Sequence, residues 1–165
     1  MSYDLAVWEG TVPATVSEAS AEYERRMDAM EAALERPDGP PPASPAIRAF
    51  VEAALSRYPA LDEDTGPECP WASSPLIDEA IGDLIYFPLT FSGAEIARDE
   101  LADLARAHGL VCYDPQIEAL LPDPAAKSAA TVAAAAHEAL VRHVQDQDDS
   151  ADGRRWWSRL FRRQN

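Results

Sequence analysis

Apolar and polar residues first alternate at the start of the chain. Tyr3, Leu5 and Val7 share one side of an extended segment that ends at Trp8 and is closed by Gly10 and Pro13, which predicts a strand near 3–8. The period then changes to three and four. Val16, Ala19, Tyr23, Met27, Met30 and Leu34 trace a helical stripe, Thr15 with Glu18 forms a capping box ahead of it, and Pro37 stops it. Prolines crowd residues 37–45, and because proline lacks the backbone donor and restricts the residue before it, this stretch reads as a stiff connector. Ser44 caps a second helix with Pro45 in its first turn, Ile47, Phe50, Val51, Leu55 and Tyr58 on its stripe, and Pro59 at its end. A long loop covers 61–75.

Leu84-Ile85-Tyr86-Phe87 is a β-rich run interrupted by Pro88, which places that strand at an edge or a bulge. Ser92 and Glu95 form a second capping box. The helix they open turns Ile96, Ala97, Leu101, Leu104 and Ala105 to the core and closes at His108-Gly109, a glycine C-cap. Strand Leu110-Val111-Cys112-Tyr113 follows at once, so strand, helix and strand make one βαβ unit, expected to be parallel. Asp123-Pro124 starts a further helix with Val132, Ala136, Leu140 and Val144 in one narrow row.

These elements predict an α/β fold, a small mixed sheet of about three to four strands packed with about four helices. The strands fall near 3–8, 83–87 and 110–114, with a further one in 76–81 or 117–121. The helices fall near 16–36, 46–58, 93–107 and 124–144. The chain reads as an α/β domain over 1–122, a C-terminal helix over 123–145, an acidic linker over 146–153 and a basic aromatic tail over 154–165.

Composition adds a charge argument. The net charge is −15, yet Arg154, Arg155, Arg159, Arg162 and Arg163 all lie in the last twelve residues. The rest of the chain sets nine basic residues against 29 acidic ones, a charge of −20. Nucleic-acid affinity comes largely from Lys and Arg displacing counterions, so this body is unsuited to DNA or RNA. The same charge attracts a basic protein and speeds its encounter. The N-terminus, with Asp4 and Glu9, does not read as a secretory signal, and the Ala-rich stretch 125–141 is too weakly apolar for a membrane span. A cytoplasmic location follows, with Cys69 and Cys112 as thiols.

The strings Ser2-Tyr3-Asp4-Leu5-Ala6-Val7-Trp8, Leu84-Ile85-Tyr86-Phe87 and His108-Gly109-Leu110-Val111-Cys112-Tyr113-Asp114-Pro115-Gln116 resemble a family of uncharacterised bacterial proteins common in actinomycetes. The resemblance covers roughly residues 2–121 and brings no catalytic residues with it. Relatives of that kind carry Phe in place of Trp8 and Phe-Phe-Asp in place of Cys112-Tyr113-Asp114, which implies that Cys112 is packing and not a nucleophile.

Candidate chemistry is sparse. His137-Glu138 begins like a zinc-protease helix, but position 141 is Val141, and His143 lies about 240° round the helix from His137, so no metal is expected. Phe91-Ser92-Gly93 lacks the first glycine of a nucleophile elbow, and no glycine-rich phosphate loop or cofactor motif is present. Tyr86, Tyr113, Asp114 and His108 converge at a site only if the strand ends bring them together.

Two segments suit partners. Asp62, Glu63, Asp64 and Glu68 surround Trp71, Tyr58 and Pro70, an aromatic anchor within negative charge, as expected of a docking site for a basic protein. The tail, drawn as a helix, gathers Trp156, Trp157, Leu160 and Phe161 within about 140° of arc with Arg155, Arg159, Arg162 and Arg163 opposite. It suits an anionic membrane surface, a protein groove or the chain's own acidic surface. The expected function is a non-catalytic acidic protein-binding domain, most concretely an immunity-type inhibitor of a basic toxin. The alternatives are a peripheral membrane adaptor held by the tail, and an enzyme with a scattered site.

Overall fold

The computed structural model of the chain describes residues 2–62, 66 and 69–123. The predicted helix 124–144, the linker 146–153 and the tail 154–165 lie outside the described residues. The first strand, β1 (Tyr3–Trp8), is followed by α1 (Val16–Leu34), α2 (Pro45–Arg57), a short 3-10 turn (Leu76–Glu79), β2 (Ala80–Ile81), β3 (Leu84–Leu89), α3 (Phe91–Ala107), β4 (Val111–Asp114) and β5 (Ala119–Leu121). The strands form one sheet in the order β2-β3-β1-β4-β5, and every neighbouring pair is antiparallel. The fold is α/β, and strands occur in both of the places where an additional one was expected.

The βαβ unit takes a split form. β3 and β4 both run antiparallel to β1, so they point the same way, but β1 lies between them. Central placement explains why β1 is apolar on both faces. Tyr3, Leu5 and Val7 join α2 and α3 in one core cluster, while Ala6 and Trp8 join α1 in another. Helices therefore cover both faces of the sheet. Pro88 fits because β2 pairs only with Leu84 and Ile85; farther along, β3 meets on that side the isolated Trp71–Leu89 bridge, where the Pro88 carbonyl accepts from the Ala72 N–H at 3.1 Å and no Pro88 donor is needed.

The helix starts show which local signals win. Thr15 caps α1 through the Glu18 N–H at 3.1 Å, and the Glu18 side chain reaches back to the Ala14 N–H, as a capping box does. Ser44 caps α2 through the Ile47 N–H at 3.1 Å. α3 begins earlier than the Ser92–Glu95 pattern predicts, with Thr90 as the cap and the Gly93 N–H as donor at 2.8 Å. The cause is tertiary. Thr90 N–H donates to the Pro70 carbonyl at 2.9 Å, and a Cβ at Gly93 would lie 2.4 Å from Pro70 Cα, so only glycine lets the loop lie against this helix start.

Three stripe positions are corrected. Val16 and Leu34 are exposed at the two ends of α1, beyond the sheet the helix covers, and Ile96 is exposed on α3. Its place toward the core is taken by Arg98, which is 1% exposed.

Candidate functional site

The expected acidic docking loop does not have an aromatic anchor. Trp71 is 1% exposed, its indole N–H donates to the Tyr58 carbonyl at 3.0 Å, and its ring meets Phe87 and Tyr58 edge-on at 6.0 and 6.4 Å. The physical reason is the apolar wall of α2 and β3. Burying an indole there removes a large apolar area from water while its N–H finds a partner. Pro70 and Tyr58 are buried beside it, and Asp62 is exposed. Glu63, Asp64 and Glu68 lie outside the described residues, as do Arg155, Trp156, Trp157, Arg159, Leu160, Phe161, Arg162 and Arg163 of the tail.

Negative charge is organised elsewhere, on α1. Glu24, Asp28, Glu31 and Glu35 are exposed and follow at steps of four, three and four, so they form one row about 16 Å long at 1.5 Å per residue. None of them forms an ion pair among the described residues. Nearby arginines are occupied instead: Arg25 makes a two-pronged contact with Glu22 at 2.6 and 2.8 Å, and Arg26 bonds Glu22, Asp83 and the Glu9 carbonyl at 2.6, 3.0 and 2.7 Å. The Arg25 pair holds the Glu22 carboxyl down to about 2. Away from α1 the pattern repeats, with Arg57 on Glu100 and Arg106 on Asp103. Much of the exposed positive charge is thus cancelled, while the α1 row is not.

Of the groups considered for catalysis, Asp114 and Tyr113 belong to the core. Asp114 is fully buried and accepts from the Tyr3 hydroxyl at 2.5 Å, from Arg98 Nε at 2.6 Å and from the Gln116 N–H at 3.0 Å. Burial, then the bond to Asp114, pushes the Tyr3 hydroxyl far above its ordinary value. Tyr113 is buried and shares a 2.9 Å hydrogen bond with Ser20. Tyr86 is half-buried against Tyr23, and burial raises its hydroxyl well beyond the usual tyrosine range. His108 is exposed at the C-cap of α3, apart from these groups, and its N–H bonds the Leu104 and Ala105 carbonyls at 3.1 Å. Cys112 lies in the core, where burial pushes its thiol up and leaves little nucleophilic thiolate.

Two clefts formed by described residues stand out, and neither is bordered by Tyr86, Tyr113, Asp114 or His108. One, about 310 Å³, lies between α2 and α3 over Leu101, Leu104 and Tyr58. The other, about 280 Å³, lies between α1, Pro41 of the connector and the turn from β2 to β3, with Arg25, Arg26 and Arg36 on its walls. No group of three His, Cys, Asp or Glu side chains is placed to hold a metal among the described residues. No helix there is long and apolar enough to cross a membrane.

Sequence reasoning misses the buried Arg98–Asp114 pair and the arginine-lined cleft. A signal exists for the first, since Arg98 sits one position after Ala97 and three before Leu101 on the apolar stripe. Comparison with family models, curated proteins and solved structures gives no match for this chain.

Proposed function

We propose that this chain is a non-catalytic binding domain that docks a basic protein through its acidic surface, most concretely as an immunity-type inhibitor of a basic toxin. The observation that carries this reading is the row Glu24, Asp28, Glu31 and Glu35 on α1, whose charges no arginine among the described residues neutralises. Four carboxylates at helical spacing on a body of charge −20 steer a basic surface and match Arg and Lys across it. Exposed Leu34, to one side of the row near its end, offers apolar contact next to it. The structural duties of Asp114, Tyr113, Tyr3 and Cys112 favour binding over catalysis by these groups.

The test is affinity capture from the native source with the full-length chain and with Glu24→Gln/Asp28→Asn/Glu31→Gln/Glu35→Gln, at low salt. The reading expects a basic protein retained by the natural chain and lost by the variant. Retention of the same proteins by both, or of no basic protein, contradicts it.

A second reading rests on the tail. Its tryptophans and arginines suit a headgroup region, where each Arg near an anionic surface contributes about 1 kcal/mol. A peripheral adaptor of this kind cosediments with anionic vesicles, weakly and in a salt-sensitive way. Arg155→Glu/Arg159→Glu and Trp156→Ala/Trp157→Ala abolish that binding. Failure of the full-length chain to bind at low salt rules the reading out.

A further inference from the structure

The cleft beside α1 has a composition at odds with the rest of the molecule. In a chain of net charge −15, three arginines meet a single acid, Asp83, at an opening whose remaining walls are largely apolar: Met30 and Ala33 from α1, Pro41 from the connector, Ile81 and Leu84 from the sheet. Arg26 lies at its inner end with a side chain 10% exposed, fixed by Glu22, Asp83 and the Glu9 carbonyl and stacked over Trp8 at 5.4 Å. Arg36 stands at the outer end, exposed, and makes no ion pair among the described residues.

The walls are held in place from three separate parts of the chain. The Gly39 N–H bonds the Arg36 carbonyl at 3.0 Å and turns the chain into the prolines, and the Gly82 N–H then bonds the Pro41 carbonyl at 3.2 Å while the Ser44 N–H bonds the Gly82 carbonyl at 2.7 Å. Ser44 also donates its hydroxyl to Glu9. Proline stiffness and these bonds keep the opening formed without an occupant, which lowers the ordering cost of binding.

We infer that this cleft binds a small organic acid with an apolar body, its carboxylate on Arg36 and its body on Met30, Ile81 and Leu84. The volume of about 280 Å³ lies at the small end of ligand sites and holds a single aromatic or branched-chain acid. The guanidinium of Arg36 supplies a forked donor that matches a carboxylate. Arg26 is held by Glu22 and Asp83 and closes the inner end, so Arg36 is the guanidinium left for the carboxylate. At 100° per residue the cleft side of α1 lies about 150° round from the Glu24–Glu35 row, so this site is independent of the proposed docking surface.

The experiment is a nitrogen-15 NMR titration of the full-length chain with 3-phenylpropionate, 3-phenylpropanamide and acetate. The acid shifts Ala29, Ala33, Gly82 and Leu84 saturably, the amide binds at least about tenfold more weakly, and acetate does not saturate over the same range. Arg36→Gln, at an exposed position, weakens the acid about tenfold or more, and Ala33→Trp, which fills the cleft, abolishes binding. Circular dichroism identifies any variant that fails to fold; if Ala33→Trp does, Arg36→Gln alone decides. No saturable shift with the acid, equal affinity for acid and amide, or unchanged affinity in the folded variants overturns the inference.

Discussion

Removing the carboxylate of Asp114 tests the core more severely than any apolar truncation. Asp114→Ala deletes the acceptor of three donors at once and takes from Arg98, 1% exposed, the acceptor of its Nε, while Asp99 stays on its Nη1 at 2.6 Å. Breaking a buried pair from one side costs about 3–5 kcal/mol, a large share of the 5–15 kcal/mol that holds a domain together. With a urea slope near 2 kcal/mol per M, the midpoint falls by about 1.5–2.5 M. Arg98→Met costs less, because Tyr3 and Gln116 still donate to the carboxylate it leaves behind. The double variant Arg98→Met/Asp114→Ala carries no uncompensated charge and is more stable than Asp114→Ala alone. Urea unfolding followed by circular dichroism gives all three values. Single costs that simply add, within about 0.5 kcal/mol, refute the reasoning that a buried guanidinium deprived of its Asp114 carboxylate is the source of the loss.

Other outcomes follow from the same packing. Gly93→Ala places a methyl 2.4 Å from Pro70 Cα and destabilises by about 1–3 kcal/mol or more; an unchanged urea midpoint contradicts the close approach. Trp71→Ala costs about 3–5 kcal/mol, whereas a surface anchor would cost under about 0.5, so thermal unfolding separates the two placements. Burial, then the bond to Glu100, pushes the Tyr58 hydroxyl up to about 12 from 10.0. The fold therefore favours the protonated form: its contribution is intact below pH 10 and lost as pH rises from 10 toward about 12. Tyr58→Phe flattens the fall in stability over that window, and identical slopes in the two proteins count against the assignment.

Elements with a strong local signal were legible in the sequence. The Thr15–Glu18 box, the Ser44-Pro45 start and the Gly109 stop are settled within a few residues of backbone, and α1, α2 and the end of α3 fall where those signals put them. Strand order was not legible, because nothing local says that β1 returns to lie between β3 and β4. The start of α3 moved to Thr90 for the same kind of reason: Pro70, more than twenty residues away, decides it. Trp71 sat in an acidic, proline-rich stretch that reads as surface, and only the α2–β3 wall shows that it is core. The α1 carboxylates stand at helical spacing in the sequence, but spacing alone does not distinguish a free acidic row from a paired one. Their standing unpaired depends on which partner each arginine takes, as with Arg25 and Arg26 on Glu22. The arginine cleft needs residues from three segments and has no signature in any one of them.

The docking reading is tested most directly by association kinetics with the basic protein that the full-length chain captures, measured at about 50 and 500 mM salt. Electrostatic steering by the Glu24–Glu35 row predicts that the association rate falls about tenfold or more over that range, that the fourfold neutralised variant starts low and changes little, and that dissociation varies far less in both. An association rate that ignores both salt and the four substitutions contradicts the account.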